Sequence, residues 1–95
     1  MPAYVLANVT VNDPVRYEDY RRLVTPTVAK YGGRFIVRGG TVEVLEGKWQ
    51  PNRLVLVEFP SVEQARQWWN SPEYTEAKLI RQATSEGTLL ILEGV

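Results

Sequence analysis

The carboxylate of Glu58 stands inside an apolar run, LVLVEF, on the same face of an extended segment as Leu54 and Leu56. If buried, it needs a cationic partner or carries a raised pKa, the condition of a general acid or base. The plainer reading is a carboxylate paired with an arginine at a subunit interface or its rim. A second group lies downstream: Trp68, Trp69 and Tyr74, on a helical stretch interrupted at Asn70-Ser71-Pro72. Such an interruption opens a gap between helix and sheet, where an indole and a phenol hold a flat apolar ligand. Aromatics at that spacing equally serve as core. Glu58 and Tyr74 are the catalytic candidates, and Trp68 a ligand-binding one.

Other side chains fit around such a ligand. Tyr20, with Tyr17, faces the same space from an earlier helix. Asn8 interrupts one face of the first strand, where its amide holds a carbonyl or phenol oxygen or satisfies nearby backbone. Arg38 offers a planar fork of donors to a carboxylate, unless it is a surface or dimer-contact arginine. Arg81 pairs with an acidic ligand or with Glu93. Trp49, in a loop beside Gly47 and Pro51, reads as an interface anchor.

What the chain lacks narrows the chemistry. It has no cysteine, so disulfides, thiolate nucleophiles and zinc–thiolate sites are excluded. It has no histidine, the commonest general base and transition-metal ligand. Triads, histidine-ligated haem and iron facial triads fall with it, and neither a metal nor a cofactor is expected. Eleven basic and eleven acidic residues cancel, against the basic excess of a nucleic-acid module. No run approaches the ~20 apolar residues of a membrane helix, and MPAYVLANV lacks the pattern of a signal peptide. The expectation is a cytoplasmic protein with no nucleic-acid or membrane partner.

YGGRFIVRGG, residues 31–40, carries four of the seven glycines. It lacks the lysine-serine or lysine-threonine end of a phosphate loop. Its first glycine pair follows a helix instead of preceding one, so no helix N-terminus is offered to an anion. The stretch reads as a helix cap followed by a strand with a bulge, and a bulge re-aims neighbouring side chains.

The elements that must position these residues follow from periodicity. Residues 1–95 form one domain, within the usual size range. Ala3 to Val11 is a strand, with Val5, Ala7, Val9 and Val11 on an apolar face and Tyr4, Leu6, Asn8 and Thr10 on a mixed one. Asp13-Pro14 caps a helix carrying Tyr17, Tyr20, Val24, Val28 and Tyr31 in one stripe. Pro26 should kink or break it near Thr25. Gly32 ends it. Arg34 to Arg38 is a strand, resumed by Thr41 to Glu46 after a bulge at Gly39-Gly40. Gly47 to Asn52 turns the chain into Arg53 to Phe59. Ser61 and Gln64 form a capping box, Ser71-Pro72 restarts the helix, Gly87 stops it, and Thr88 to Glu93 is the last strand.

The order β-α-β-β-α-β is ferredoxin-like (α+β): an antiparallel sheet in order 4-1-3-2 with both helices on one face. The apolar runs RLVLVEF and TLLILE imply that the other face is also buried, and a homodimer is the economical way to bury it.

YGGRF, RGG, LEG followed by tryptophan, EFPS and W-x-N-S-P-E-Y, in this order, resemble domain-of-unknown-function family 1330, as does the closing LEGV. The resemblance covers essentially the whole chain. It implies a dimeric α/β-barrel, two ferredoxin-like sheets face to face with helices outside. Trp69 departs from it, standing where the family more often has tyrosine. The family has no established activity. Related barrels include cofactor-independent monooxygenases, lactone isomerases and haem enzymes, which by fold analogy implies a small, mostly apolar ligand.

Three functional readings follow. The first is a metal-free enzyme on a small aromatic or acidic compound, positioned by Asn8, Arg38, Glu58 and Tyr74, with Glu58 accepting a proton. The second is a non-catalytic binder of a small metabolite, and the third a structural dimer without a ligand.

Overall fold

Alternation along the first strand decides which way the sheet faces. In β1 (Ala3–Val11) the side chains of Ala3, Val5, Ala7 and Val9 are buried, and the residues between them are not. The helices pack on the buried side. Asp13 accepts the N–H of Arg16 at 3.2 Å and starts α1 (Pro14–Lys30), with Gly32 following at φ 80°. The remaining elements are β2 (Arg34–Arg38), β3 (Arg53–Phe59), α2 (Val62–Trp69), α3 (Pro72–Thr84) and β4 (Ser85–Glu93). The computed structural model describes all residues, 1–95.

The strands are antiparallel in the order β2-β3-β1-β4, the ferredoxin-like arrangement. Val5, Val57 and Phe59 from the sheet meet Val24, Val28, Ala65, Trp68, Tyr74 and Ala77 from the helices in one core. The molecule measures 36 × 35 × 16 Å, the depth of one sheet under one layer of helices. The other face has no cover within the chain. Register places Tyr4, Leu6 and Asn8 there beside Leu54, Leu56 and Glu58 on one flank and Thr88, Leu90 and Leu92 on the other.

Four local expectations are corrected. The bulge lies inside β2, between Phe35 and Val37, and not at Gly39-Gly40. Residues 39–52 form no strand, because the chain offers Thr41 to Glu46 no neighbouring strand to pair with; Val42, Val44 and Leu45 are left exposed. Gly87 does not stop the helix but lies within β4, and a Cβ there would stand 2.2 Å from the Asn8 carbonyl oxygen. Pro26 does not break α1. In the turn before it, the carbonyl of Arg21 accepts the Thr25 hydroxyl and the Arg38 guanidinium, each at 3.0 Å.

The helix starts behave as their residues dictate. Ser61 accepts the N–H of Gln64 at 3.1 Å, and Ser71 that of Tyr74 at 3.2 Å. The capping box is half formed: the Gln64 amide donates at 3.2 Å to the carbonyl of Tyr31, at the end of α1, and so ties the two helices together.

Candidate functional site

Three polar side chains meet between the helices and the sheet. Tyr20 comes from α1, and Tyr74 and Arg81 from α3, two turns apart and so on one face. The hydroxyls of Tyr20 and Tyr74 are 3.2 Å apart, and Arg81 Nε donates to the Tyr74 oxygen at 3.3 Å. Tyr74 is fully buried and Arg81 nearly so. Burial, followed by the neighbouring Tyr74, pushes the Tyr20 phenol well above its ordinary value. The Tyr20 phenol is therefore neutral at neutral pH.

The β2 bulge supplies the next residue. Regular alternation from Phe35, which faces the helices, would send position 38 to the opposite face. The extra residue between Phe35 and Val37 reverses that, and Arg38 pairs in register with Val55 on the helix side. Its guanidinium lies 4.0 Å from the Phe35 ring centroid and donates to the Arg21 carbonyl. Burial, then repulsion from Arg21 and Arg53, lowers the Arg38 pKa from its ordinary value.

Arg53 is paired with Val9 in register, which puts it on the helix side too, 5.8 Å from the Tyr17 ring. Sequence reading singled out neither Arg53 nor Arg21 for this site. The signal was present: Arg53 is in phase with Val55, Val57 and Phe59, and Arg21 lies four residues after Tyr17 and three before Val24.

The spaces in this layer adjoin. A chamber of about 30 Å³ is lined by Arg21, Arg38, Arg53 and Arg81 together with Tyr17, Tyr20 and apolar residues. Next to it is a wholly apolar chamber of about 30 Å³, sharing Ala7, Tyr20, Val24, Phe35 and Val55 with the first. Val5, Trp68 and Leu89 in turn connect that chamber to an outer apolar groove of about 250 Å³ under Trp69 and along β4.

Trp68 is a wall of these spaces and also a fixed part of the core. Its ring lies 4.0 Å from that of Tyr74 and 5.5 Å from that of Phe59. Its indole N–H is committed to the Thr27 hydroxyl at 3.1 Å. The gap expected at Asn70-Ser71-Pro72 is instead a groove between the two indoles and β4. Tyr74 does not line it.

Two expected site residues lie elsewhere. Glu58 and Asn8 point to the uncovered face of the sheet, because each is out of phase with the core positions of its strand. Glu58 pairs with Arg34 at 2.9 Å, the plainer of its two readings. Asn8 accepts the backbone N–H of Asn52 at 3.2 Å, so its amide holds the loop before β3. They cannot join Tyr20, Arg38, Tyr74 and Arg81 around one ligand within a protomer. Arg81 is hydrogen-bonded to Tyr74, whereas Glu93 sits at the far end of β4 opposite Ala3. No group of three or more acidic side chains is placed to hold a metal ion.

Comparison with known proteins agrees with this architecture. Residues 2–95 match the family described as "Domain of unknown function (DUF1330)". Among solved structures, a protein of unknown function from Rhodopseudomonas palustris is 23% identical, with a TM-score of 0.80 over 99% of this chain and 82% of that one. A cofactor-independent oxygenase from Streptomyces nogalater is 14% identical, with a TM-score of 0.68 over 99% and 93% of the two chains. A dimeric ferredoxin-like protein of unknown function from Jannaschia sp. CCS1 is 13% identical, also at 0.68, over 99% and 100%. At these identities the likeness is one of fold. No curated protein sequence matches the chain.

Proposed function

The chain belongs to the DUF1330 family, and on that premise we propose that it is a homodimeric protein that holds a small aromatic or acidic compound between its helices and sheet. The observation that carries this reading is the Tyr20–Tyr74–Arg81 network, set between the helices and the sheet beside adjoining cavities. Buried polar groups cost stability unless they are paired, and a network of this kind marks a place where orientation matters. The Tyr20 phenol and the Arg81 guanidinium, which line the cavity, supply donors for a carbonyl, phenolate or carboxylate oxygen. The aromatic walls supply the apolar surface.

Tyr74 lines none of these cavities and acts on a ligand only by positioning Tyr20 and Arg81, which do. Glu58, on the opposite face, is not a proton acceptor in this reading. The dimer forms by covering the open sheet face, where Leu6, Leu56, Leu90 and Leu92 need a partner surface. A dimeric ferredoxin-like neighbour supports a dimer.

Melting temperature against a panel of small phenols, quinones, lactones and carboxylic acids tests the reading. A ligand at a hundredfold above its Kd stabilises by roughly 2.7 kcal/mol, a shift of several degrees at this size. At least one class is expected to give that shift, and to lose it in Tyr74→Phe. Silence across the panel would leave a structural dimer.

A further inference from the structure

The basic chamber goes further than the pocket reading on which it rests, because its lining selects a ligand class. We propose that Arg21, Arg38, Arg53 and Arg81 form a carboxylate subsite, and that the ligand is a small monocarboxylic acid with a short apolar or aromatic body. Four guanidinium groups line a cavity of about 30 Å³ that receives no acidic side chain. The ion pairs of the structure join Arg21 to Glu18, Arg22 to Asp19, Lys30 to Glu73 and Arg34 to Glu58. Arg38, Arg53 and Arg81 have none. The Nε atoms of Arg21 and Arg53 are buried without a hydrogen-bond partner. Buried donors on charged groups are costly to leave unpaired, and an anion in the chamber satisfies them.

The backbone is shaped for this arrangement. Gly39 adopts φ 72°, and a Cβ there would stand 2.2 Å from Arg53 Nη1. The missing side chain is what lets the Arg53 guanidinium lie against the β2 terminus. Burial first, and then repulsion from Arg21 and Arg53, lowers the Arg38 pKa, in keeping with this crowding.

Size and surroundings set the rest of the ligand. About 30 Å³ is room for some two water molecules, enough for the two oxygens of a carboxylate and too little for a nucleotide. The adjoining chamber is apolar on every side. A second charge has no place there, whereas an alkyl chain or a ring has one once the side chains shared by the two chambers, those of Ala7, Tyr20, Val24, Phe35 and Val55, move to admit it. Arginine forks suit a planar carboxylate, which takes two parallel hydrogen bonds.

Calorimetric titration of the purified dimer tests this with butyrate, hexanoate and benzoate against hexanamide and benzamide. The acids are expected to bind about tenfold or more tighter than the amides of the same shape. Arg38→Gln and Arg53→Gln should each remove that preference while leaving any amide binding in place. Arg38→Lys keeps the charge without the fork, should fall between, and carries the test with Arg53→Gln if Arg38→Gln does not fold. Arg34→Gln, on the opposite face, should change nothing. Equal binding of acids and amides would overturn the carboxylate subsite and leave the pocket reading standing. Acid binding that survives both glutamine variants would also overturn it, by placing the site elsewhere. No binding by any probe would overturn the subsite, and silence in the melting panel as well would remove the pocket with it.

Discussion

The hydroxyl of Tyr20 lies 3.2 Å from that of Tyr74, so α1 and α3 share a polar contact in the layer between the helices and the sheet. Tyr74 is also bonded to Arg81, and the two phenols are therefore not equivalent.

Removing the Tyr74 hydroxyl strands the Arg81 Nε donor and leaves the Tyr20 hydroxyl without this partner, whereas removing that of Tyr20 leaves Tyr74 and Arg81 bonded to each other. Tyr74→Phe is expected to cost about 1–3 kcal/mol and Tyr20→Phe about 1 kcal/mol or less. Urea denaturation of both variants checks the order. Equal losses would mean that Arg81 does not depend on Tyr74.

Gly39→Ala should act on Arg53 more than on the fold. The strained φ costs about 1 kcal/mol, and the new Cβ drives the guanidinium away from its seat. Acid binding is expected to fall as in Arg53→Gln. Gly40→Ala, with nothing within 4 Å of its Cβ, serves as the comparison.

A pH dependence arises at the other end of α1. Glu73 accepts Lys30 at 2.5 Å and the Tyr31 hydroxyl at 2.9 Å, joining the last turn of α1 to the first turn of α3. The Lys30 contact, then hydrogen bonding with its own backbone and Tyr31, lowers its carboxyl from 4.5 to about 2. A depressed carboxyl stabilises the fold above its unfolded value and loses that contribution as pH falls through the folded one. The melting-temperature gap between the native protein and Glu73→Gln should thus be steady above about pH 5 and close between 4.5 and about 2. A gap independent of pH would show that the contact contributes nothing through charge.

The open sheet face gives the assembly prediction. Leu56 lies on the central strand β3, beside Leu6 and Val37 in register. Light scattering should give about twice 10.8 kDa for the native protein and about 10.8 kDa for Leu56→Glu. A native protein that scatters as a monomer at micromolar concentration would overturn the dimer.

The residues that pattern by period were legible in the sequence. Alternation in β1 and β3, the Asp13, Ser61 and Ser71 caps and the Gly32 terminus all fell where local chemistry places them, and with them the strand order. Position along β2 was less legible, because a bulge shifts phase by one residue without a fixed residue type to mark it. That shift alone decides that Arg38 faces the helices. Glu58 and Asn8 could be assigned to a face but not to a site, since sequence does not say which face carries the cavities. Residues 41–46 show why pattern is insufficient: TVEVLE alternates as a strand does, yet pairing requires a neighbour.

The most direct test of the account is a map of amide chemical shifts in the native dimer as benzoate is added. The changes should centre on Tyr20, Val24, Arg38, Val55 and Arg81, and leave Leu6, Leu56 and Leu92 on the opposite face unmoved. Changes concentrated on that opposite face, or none at saturating benzoate, would contradict it.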